Sequence, residues 1–421
     1  MKRMILVTIL LLLPVLSLIP IRATAGATDE RCYVLWDNVI NDYIKQDLWQ
    51  ATRAYDAGHL LMIPMQASFS LNEQDWQLQF ADLFQRFTDK VANYEIAENE
   101  RLSKLHFLYL GSRYLNLSAN TMNSRLTSNN ERLYNSIIEN ITVLWSFQPA
   151  WQWGRKAFTG GMKERIAWKL GANIVWKKYY KAFVDEELFL FAIAGELRCY
   201  QTKTSCLANE KEVVNEILQY ALKVFYKAVV YQNDGGWLFQ PGVWSDHPDF
   251  SYAGHNNKAP GLKLLRIKKI AEDVSHSHRL PLWLKSLERA FPSESPQNRY
   301  FTELLIGLDK QFFEKVVVSP IAAFPSYRTT NYMDGKNGIY RYVYGSLKNY
   351  HGYGAYELSG TITLGWWSFL GSEKSSAMYQ ALTATFPLPE NVMALYAYPQ
   401  KRWTNSQCSF RELIVRLAAK L

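Results

Sequence analysis

His247, Tyr252 and His255 crowd into one short stretch that also carries Trp244, Asp246 and Gly254, preceded by Asp234-Gly235-Gly236-Trp237. Histidine and tyrosine are the side chains best suited to moving protons near neutral pH. Tryptophan offers a flat apolar face that stacks on the apolar side of a sugar ring. Together these residues describe one wall of a sugar cleft, with Trp237, Trp244 and Asn256 as candidate substrate contacts. A plain structural role fits them as well, with the tryptophans as core and the histidines as hydrogen-bonding loop residues.

A second constellation is Arg341, Tyr344, Lys348, Asn349, Tyr350, His351, Tyr353 and Glu357. Arginine and lysine meet carboxylate or sulfate groups, and interleaved tyrosines supply contact area and a proton-bearing oxygen. A packed, tyrosine-rich loop with solvated basic residues is the alternative. Asn173, in Gly171-Ala172-Asn173-Ile174-Val175-Trp176, is a third candidate. An amide there can hydrogen-bond a uronate carboxyl, although a helix-cap role also suits it. His276-Ser277-His278 lacks a third nearby ligand, so no metal is expected, and no cofactor motif is present. Asp234, Asp246, Asp249 and Glu357 are carboxylates that a glycoside hydrolase could use in pairs across a cleft.

These residues need a scaffold, and the rest of the chain reads as helix. Apolar residues recur at three- and four-residue spacing in Val34, Leu35, Val39, Ile40 and Tyr43, and again in Trp76, Phe80, Leu83, Phe84 and Phe87. Similar patterns cover 137–144, 186–197, 213–230 and 304–317, with short breaks between them. The expected fold is mainly α, an (α/α) toroid of helical hairpins in one domain over residues 26–421, with no β-sandwich domain. Long polar-aromatic loops at 231–261 and 325–368 interrupt the helices, and such loops on a rigid scaffold are where function usually sits.

The chain has 421 residues, 48% hydrophobic and 20% charged, which excludes disorder and coiled coil as whole-chain readings. Lys2 and Arg3, an apolar run from Met4 to Pro20 and Ala23-Thr24-Ala25 describe a secretory signal peptide over residues 1–25. Retention of that segment would make it an anchor instead; no later segment is apolar enough to span a membrane. Its removal takes away Lys2, Arg3 and Arg22 and no acid, so the formal charge falls from +9 to +6. Outside the cytosol the polyanions open to a basic protein are mainly acidic polysaccharides, anionic lipid and stray nucleic acid, and a mildly basic solvated surface explains the charge equally well; the expected partner is an acidic polysaccharide, with no nucleic acid. Cys32, Cys199, Cys206 and Cys408 fit an oxidising compartment, with Cys199–Cys206 and Cys32–Cys408 as one of three possible pairings. Asn116-Leu117-Ser118 and Asn140-Ile141-Thr142 have the form of N-glycosylation acceptors.

The first loop resembles the Asp-Gly-Ser…His…Tyr-x-Gly segment of polysaccharide lyase family 8, the hyaluronan, chondroitin and xanthan lyases. The matching residues are Asp234-Gly235-Gly236-Trp237 and His247-Pro248-Asp249-Phe250-Ser251-Tyr252-Ala253-Gly254. It is similar in the same way to the envelope chondroitin lyase of baculoviruses. Asn349-Tyr350 through Leu358-Ser359-Gly360 has the spacing of the family's Asn-Tyr-Glu…Asn-Leu-x-Gly segment. Phe386-Pro387-Leu388-Pro389 resembles the turn that closes its helical domain, and Asn173 with Trp176 resembles its Asn-Trp-Trp motif. The resemblance covers about residues 170–390. It implies an (α/α) toroid and β-elimination on a uronate-containing polysaccharide, with Asn173, His247, Tyr252, His255 and Arg341 catalytic. Lys348, Asn349, Tyr350 and Glu357 would bind substrate. The family's tyrosine position falls on His255 or Asn256, its arginine position near Ser346, and its glutamate position on His351. The resemblance therefore implies that His255, Tyr252 and Lys348 take over those roles, or that catalysis is lost and glycan binding remains.

Overall fold

Several helices begin where a side chain accepts one of the first unpaired backbone N–H groups. Asp29 caps Cys32, Ser295 caps Asn298, Ser372 caps Ser375 and Thr404 caps Gln407. The structure, a computed structural model, describes residues 29–91, 94–153, 157–204, 211–342, 352–400 and 402–421. The expected signal peptide, Cys206, Lys348, Asn349 and Tyr350 lie outside the described residues.

Among the described residues the fold is mainly helical. Its α-helices are α1 (Glu30–Val39), α2 (Ala51–Ser70), α3 (Gln74–Lys90), α4 (Arg101–Ser118), α5 (Ser124–Thr127), α6 (Asn130–Ser146), α7 (Gly161–Gly171), α8 (Asp185–Lys203) and α9 (Lys211–Ala228). After the first long loop come α10 (Val274–Ser277), α11 (Leu280–Arg289) and α12 (Pro296–Gln311), and after the second α13 (Glu373–Ala384), α14 (Glu390–Tyr396) and α15 (Asn405–Ala418). Among the described residues strand is confined to two short antiparallel pairs: β1 (Val229–Tyr231) with β2 (Trp237–Phe239), and β3 (Val317–Val318) with β4 (Arg328–Thr329).

Helices α2, α4 and α8 are buried on most of their circumference, as helices enclosed on both sides must be. Helices α3 and α6 instead bury a single stripe, Trp76, Phe80, Leu83, Phe84 and Phe87 in the first and Leu133, Ile137, Ile141 and Leu144 in the second. The enclosed helices pack in sequence, α2 on α4, α4 on α8 and α8 on α11, while α15 packs back on α2. Two glycines let these enclosed helices approach their neighbours closely. A Cβ at Gly58 would lie 2.7 Å from the Cβ of His106, and one at Gly195 would lie 2.6 Å from the carbonyl oxygen of Ser286. The core runs continuously from Cys32 on α1 to Ala418 on α15.

Asn116 is buried, and its Nδ2 donates to the backbone and side chain of Glu196, so this acceptor sequence is inaccessible in the folded chain. Cys32 and Cys408 lie on the packed helices α1 and α15 without a bond between them. Among the described residues, no helix is long and apolar enough to cross a membrane.

Candidate functional site

The Asp-Gly-Gly segment serves the β1–β2 hairpin. Gly235 takes φ +90°, Asp234 Oδ1 accepts from Gly236 N–H, and Asp234 Oδ2 lies 2.9 Å from Lys315 Nζ. Trp237 is buried and donates its indole N–H to the Leu304 carbonyl at 2.7 Å. Both residues are therefore structural, which corrects the expectation that Trp237 touches substrate.

Beyond the hairpin the chain turns sharply at Gln240, and the carboxamide of this residue pins two segments together. It accepts from Phe183 N–H at 2.9 Å, and its Nε2 donates to Phe183 O and to Glu272 Oε1, both at 2.7 Å. Trp244 follows, stacked on Phe250 at 5.7 Å, with its indole N–H donating to the same Glu272 oxygen at 3.1 Å. His247 then caps the turn Pro248–Phe250, its Nδ1 accepting from Asp249 N–H at 3.2 Å. That bond leaves Nε2 as the protonated nitrogen of a neutral ring. The ring is packed edge-on against Trp153, Tyr179 and Trp244, at centroid distances of 5.8, 4.8 and 5.5 Å. Burial lowers its pKa, outweighing the opposite pull of Asp249.

The second long loop meets the first here. Arg341 Nε donates to Asp249 Oδ2 at 2.9 Å, and its backbone N–H donates to Asp249 O at 2.8 Å. A cavity of about 320 Å³ opens beneath this junction, walled by Trp151, Trp153, Trp244, Phe250, Tyr340 and Phe183. Its polar lining includes His247, Asp249, Arg341, Asp185, Glu186, Arg165, Glu272, Asp273 and His276. Tyr340 and Arg341 also border a second cavity of about 320 Å³, where Glu357, Tyr353, Tyr398, Trp403 and Arg411 stand. Glu357 is held by Lys258 Nζ at 2.7 Å and by the Gly354 N–H at 2.6 Å.

Most acids in the first cavity have a cation. Asp185 pairs with Arg279, Glu186 with Arg165, Asp249 with Arg341 and Asp273 with His276. Burial alone would push the Asp273 carboxyl up, but His276 and the Ser275 hydroxyl hold it well below the usual carboxylate range. His276 is correspondingly raised, with burial opposing and Asp273 prevailing. Glu272 is different. Its partners are the neutral donors Gln240 and Trp244, and burial, reinforced by Asp185 and Asp273, pushes its carboxyl up to about 7.

The structure thus brings together His247, Arg341 and Trp244, with Glu357 in the adjoining cavity. Tyr252 instead packs against Tyr342 at 4.4 Å, and His255 Nε2 bonds the Lys263 carbonyl at 2.7 Å; neither lines either of these two cavities. Asn256 is exposed away from both cavities. Asn173 is exposed on the segment after α7 and is not part of the cavity lining. That segment is nonetheless tied to the loop, because Lys178 N–H donates to Asp246 Oδ2 at 3.0 Å and Tyr179 touches His247. Sequence reasoning missed Glu272, Asp273, Tyr340, Trp151 and Trp153. No grouping of His, Cys, Asp and Glu among the described residues is arranged to hold a metal ion. Comparison with protein-family models, with curated proteins and with solved structures found no match.

Proposed function

We propose that this chain is a polysaccharide-cleaving enzyme on a closed ring of helical hairpins, acting on an acidic, uronate-containing glycan by β-elimination. Residues 1–25 are taken as its secretory signal, which puts the substrate outside the cell. The order of packing supports the ring: α2, α4, α8 and α11 follow one another, the 3₁₀ turn Trp366–Leu370 and α13 continue the series, and α15 returns to α2.

The observation that carries the reading is the Asp249–Arg341 junction, where two distant aromatic loops meet over one cavity. Tryptophan faces there suit sugar rings. The lining holds more acids than bases, although the chain as a whole is basic. Those acids are mostly compensated within the protein, and the groups we assign to a uronate carboxylate are His247 Nε2–H and the Arg341 guanidinium, whose Nε is already held by Asp249. Hydrogen bonds to that carboxylate stabilise the carbanion-like charge that develops when the neighbouring C–H bond breaks.

The test is to follow unsaturated uronate absorbance with hyaluronan, chondroitin and related polymers, comparing the full chain with His247→Ala. The expected result is product from at least one polymer, slowed on the order of 10²–10³-fold by loss of one such donor. A second reading has its own observation. Glu272, with its carboxyl near 7, and the Asp249 carboxylate line one cavity, as a glycoside hydrolase requires. New reducing ends without the chromophore would select it. Binding with neither product would make the protein a non-catalytic glycan binder.

A further inference from the structure

We infer that Glu272 is the proton-transferring residue of the site, with Oε2 as the atom that takes the proton from the sugar carbon and returns it to the leaving oxygen. The inference rests on the eliminative reading above and names the group that reading lacked.

The geometry fixes which oxygen acts. Oε1 accepts from Gln240 Nε2 at 2.7 Å and Trp244 Nε1 at 3.1 Å, so both its neighbours are donors and it cannot carry a proton toward either. Oε2 has no hydrogen-bonding partner among the described residues, and the residue lines the cavity. Any proton on Glu272 therefore sits on Oε2, toward the ligand space. Gln240 is itself anchored to both backbone groups of Phe183, so one of the two donors that hold the carboxyl is fixed to the main chain.

The other charged groups around the cavity are matched to partners. Asp273 faces His276, Asp185 faces Arg279, Glu186 faces Arg165, and Asp249 faces Arg341. Neutralising or reversing any of these would leave a buried cation without its anion. Tyr340, the other oxygen acid in the lining, is buried with its pKa raised well above 10, which makes it a poor proton acceptor at neutral pH. His247 presents Nε2–H, which is a donor face. Glu272 alone combines an open oxygen with a titration close to the working pH, where one group both accepts and donates effectively.

The step balances without a further reactant. Glu272 carboxylate takes the proton from the carbon next to the uronate carboxyl, and the C–H electron pair becomes the new C=C bond. The bond from the adjacent carbon to the glycosidic oxygen breaks, and Oε2–H returns its proton to that oxygen. The products are an unsaturated uronate end, a sugar hydroxyl and the starting carboxylate.

The experiment uses the full chain and three readouts. Infrared difference spectra of the wild type should show a protonated carboxylic acid that titrates near pH 7, absent in Glu272→Gln. Release of unsaturated uronate by Glu272→Gln should fall on the order of 10²–10⁴-fold in kcat, with KM changed only a few-fold. In the wild type, kcat/KM should rise with pH through about 7 as Glu272 ionises. Should Glu272→Gln fail to fold, Trp244→Phe provides the second arm. Loss of the indole N–H removes a bond that favours the carboxylate, so the same limb should move up by a few tenths to about one pH unit. An active Glu272→Gln that keeps the wild-type pH limb overturns this inference and leaves the eliminative reading intact. A wild-type protein that shows the infrared band but forms no unsaturated product from any polymer overturns that reading, and the role of Glu272 in elimination with it.

Discussion

Glu196 in the middle of α8 and Glu272 in the cavity wall are the same residue type, both withdrawn from bulk water, yet their carboxyls shift in opposite directions. Glu196 accepts from Arg113 Nη1 at 3.2 Å, Asn116 Nδ2 at 2.6 Å and Ser286 Oγ at 2.6 Å. Burial raises its pKa, but Arg113 and Arg289 overcome that, and the net shift is downward. Glu187, at the start of the same helix, behaves alike under Lys169 and Arg165, while the Lys169 ammonium is pushed by burial down to about 8. Glu272 has two neutral donors and two neighbouring acids, and it rises. What separates a structural carboxylate from a chemically poised one in this molecule is the charge of its partners rather than its depth.

The largest effect should come from breaking the structural side of that contrast. Glu196→Ala strands Arg113 inside the packed helices and removes the acceptor shared by Asn116 and Ser286. The expected loss is about 3–5 kcal/mol of unfolding free energy, read from denaturant titration. A loss below about 1 kcal/mol would mean that water reaches this cluster, and the contrast with Glu272 would dissolve.

The next effect is one of sign. The folded pKa of Glu272, about 7, lies above its ordinary value of 4.5. Its neutral form therefore favours the folded state at low pH, and that contribution is lost as pH rises through 7. Glu196 is opposite: its folded pKa is depressed, so its contribution is present above 4.5 and disappears as pH falls further. Between pH 5 and pH 8 the wild type should lose stability relative to Glu272→Gln, by up to about 3 kcal/mol at the conversion of 1.36 kcal/mol per pH unit. Chemical denaturation of both proteins across that range measures it. Parallel stability curves would show that Glu272 is not perturbed and would return it to the ordinary acids of the surface.

The helices were legible because their burial is periodic. The stripe Trp76, Phe80, Leu83, Phe84 and Phe87 predicted for one amphipathic helix is the buried face of α3. The enclosed α8 was also visible, since residues 186–197 are apolar almost throughout. The loop around His247 stood out by its density of Trp, His and Tyr, and Arg341 by its place in a second such loop; that Arg341 bonds Asp249 is a contact of the folded chain. The rest depends on contacts that spacing does not encode. Asp273 reads locally as an ordinary N-cap, which it is for α10, and Glu272 beside it carries no motif. Trp151 and Trp153 lie in the connection between α6 and α7, far in sequence from the residues they face. Conversely, His255 and Tyr252 were selected for type and proximity to His247, and neither property says where a loop side chain points.

His255 supplies the smallest expected effect and the finest test of the comparison. It is the same residue type as His247 and only one turn of loop away, but its environment differs as that of Glu196 differs from Glu272. His247 sits among aromatic rings at the cavity with its Nδ1 fixed by the Asp249 N–H. His255 directs Nε2 to the Lys263 carbonyl, so the nitrogen that would act in chemistry is bound to its own loop. Replacing it removes one hydrogen bond near the surface, where substitutions usually change stability by no more than about 0.5 kcal/mol. The protein therefore stays folded, and because His255 is in the lining of neither cavity, His255→Gln should alter glycan turnover by less than about two-fold, well under the donor-loss effect expected at His247. The measurement is the rate of product release beside His247→Ala at the same pH. Equal losses in the two variants would mean that the loop carries its histidines to substrate together, and partner identity would no longer separate acting from supporting residues.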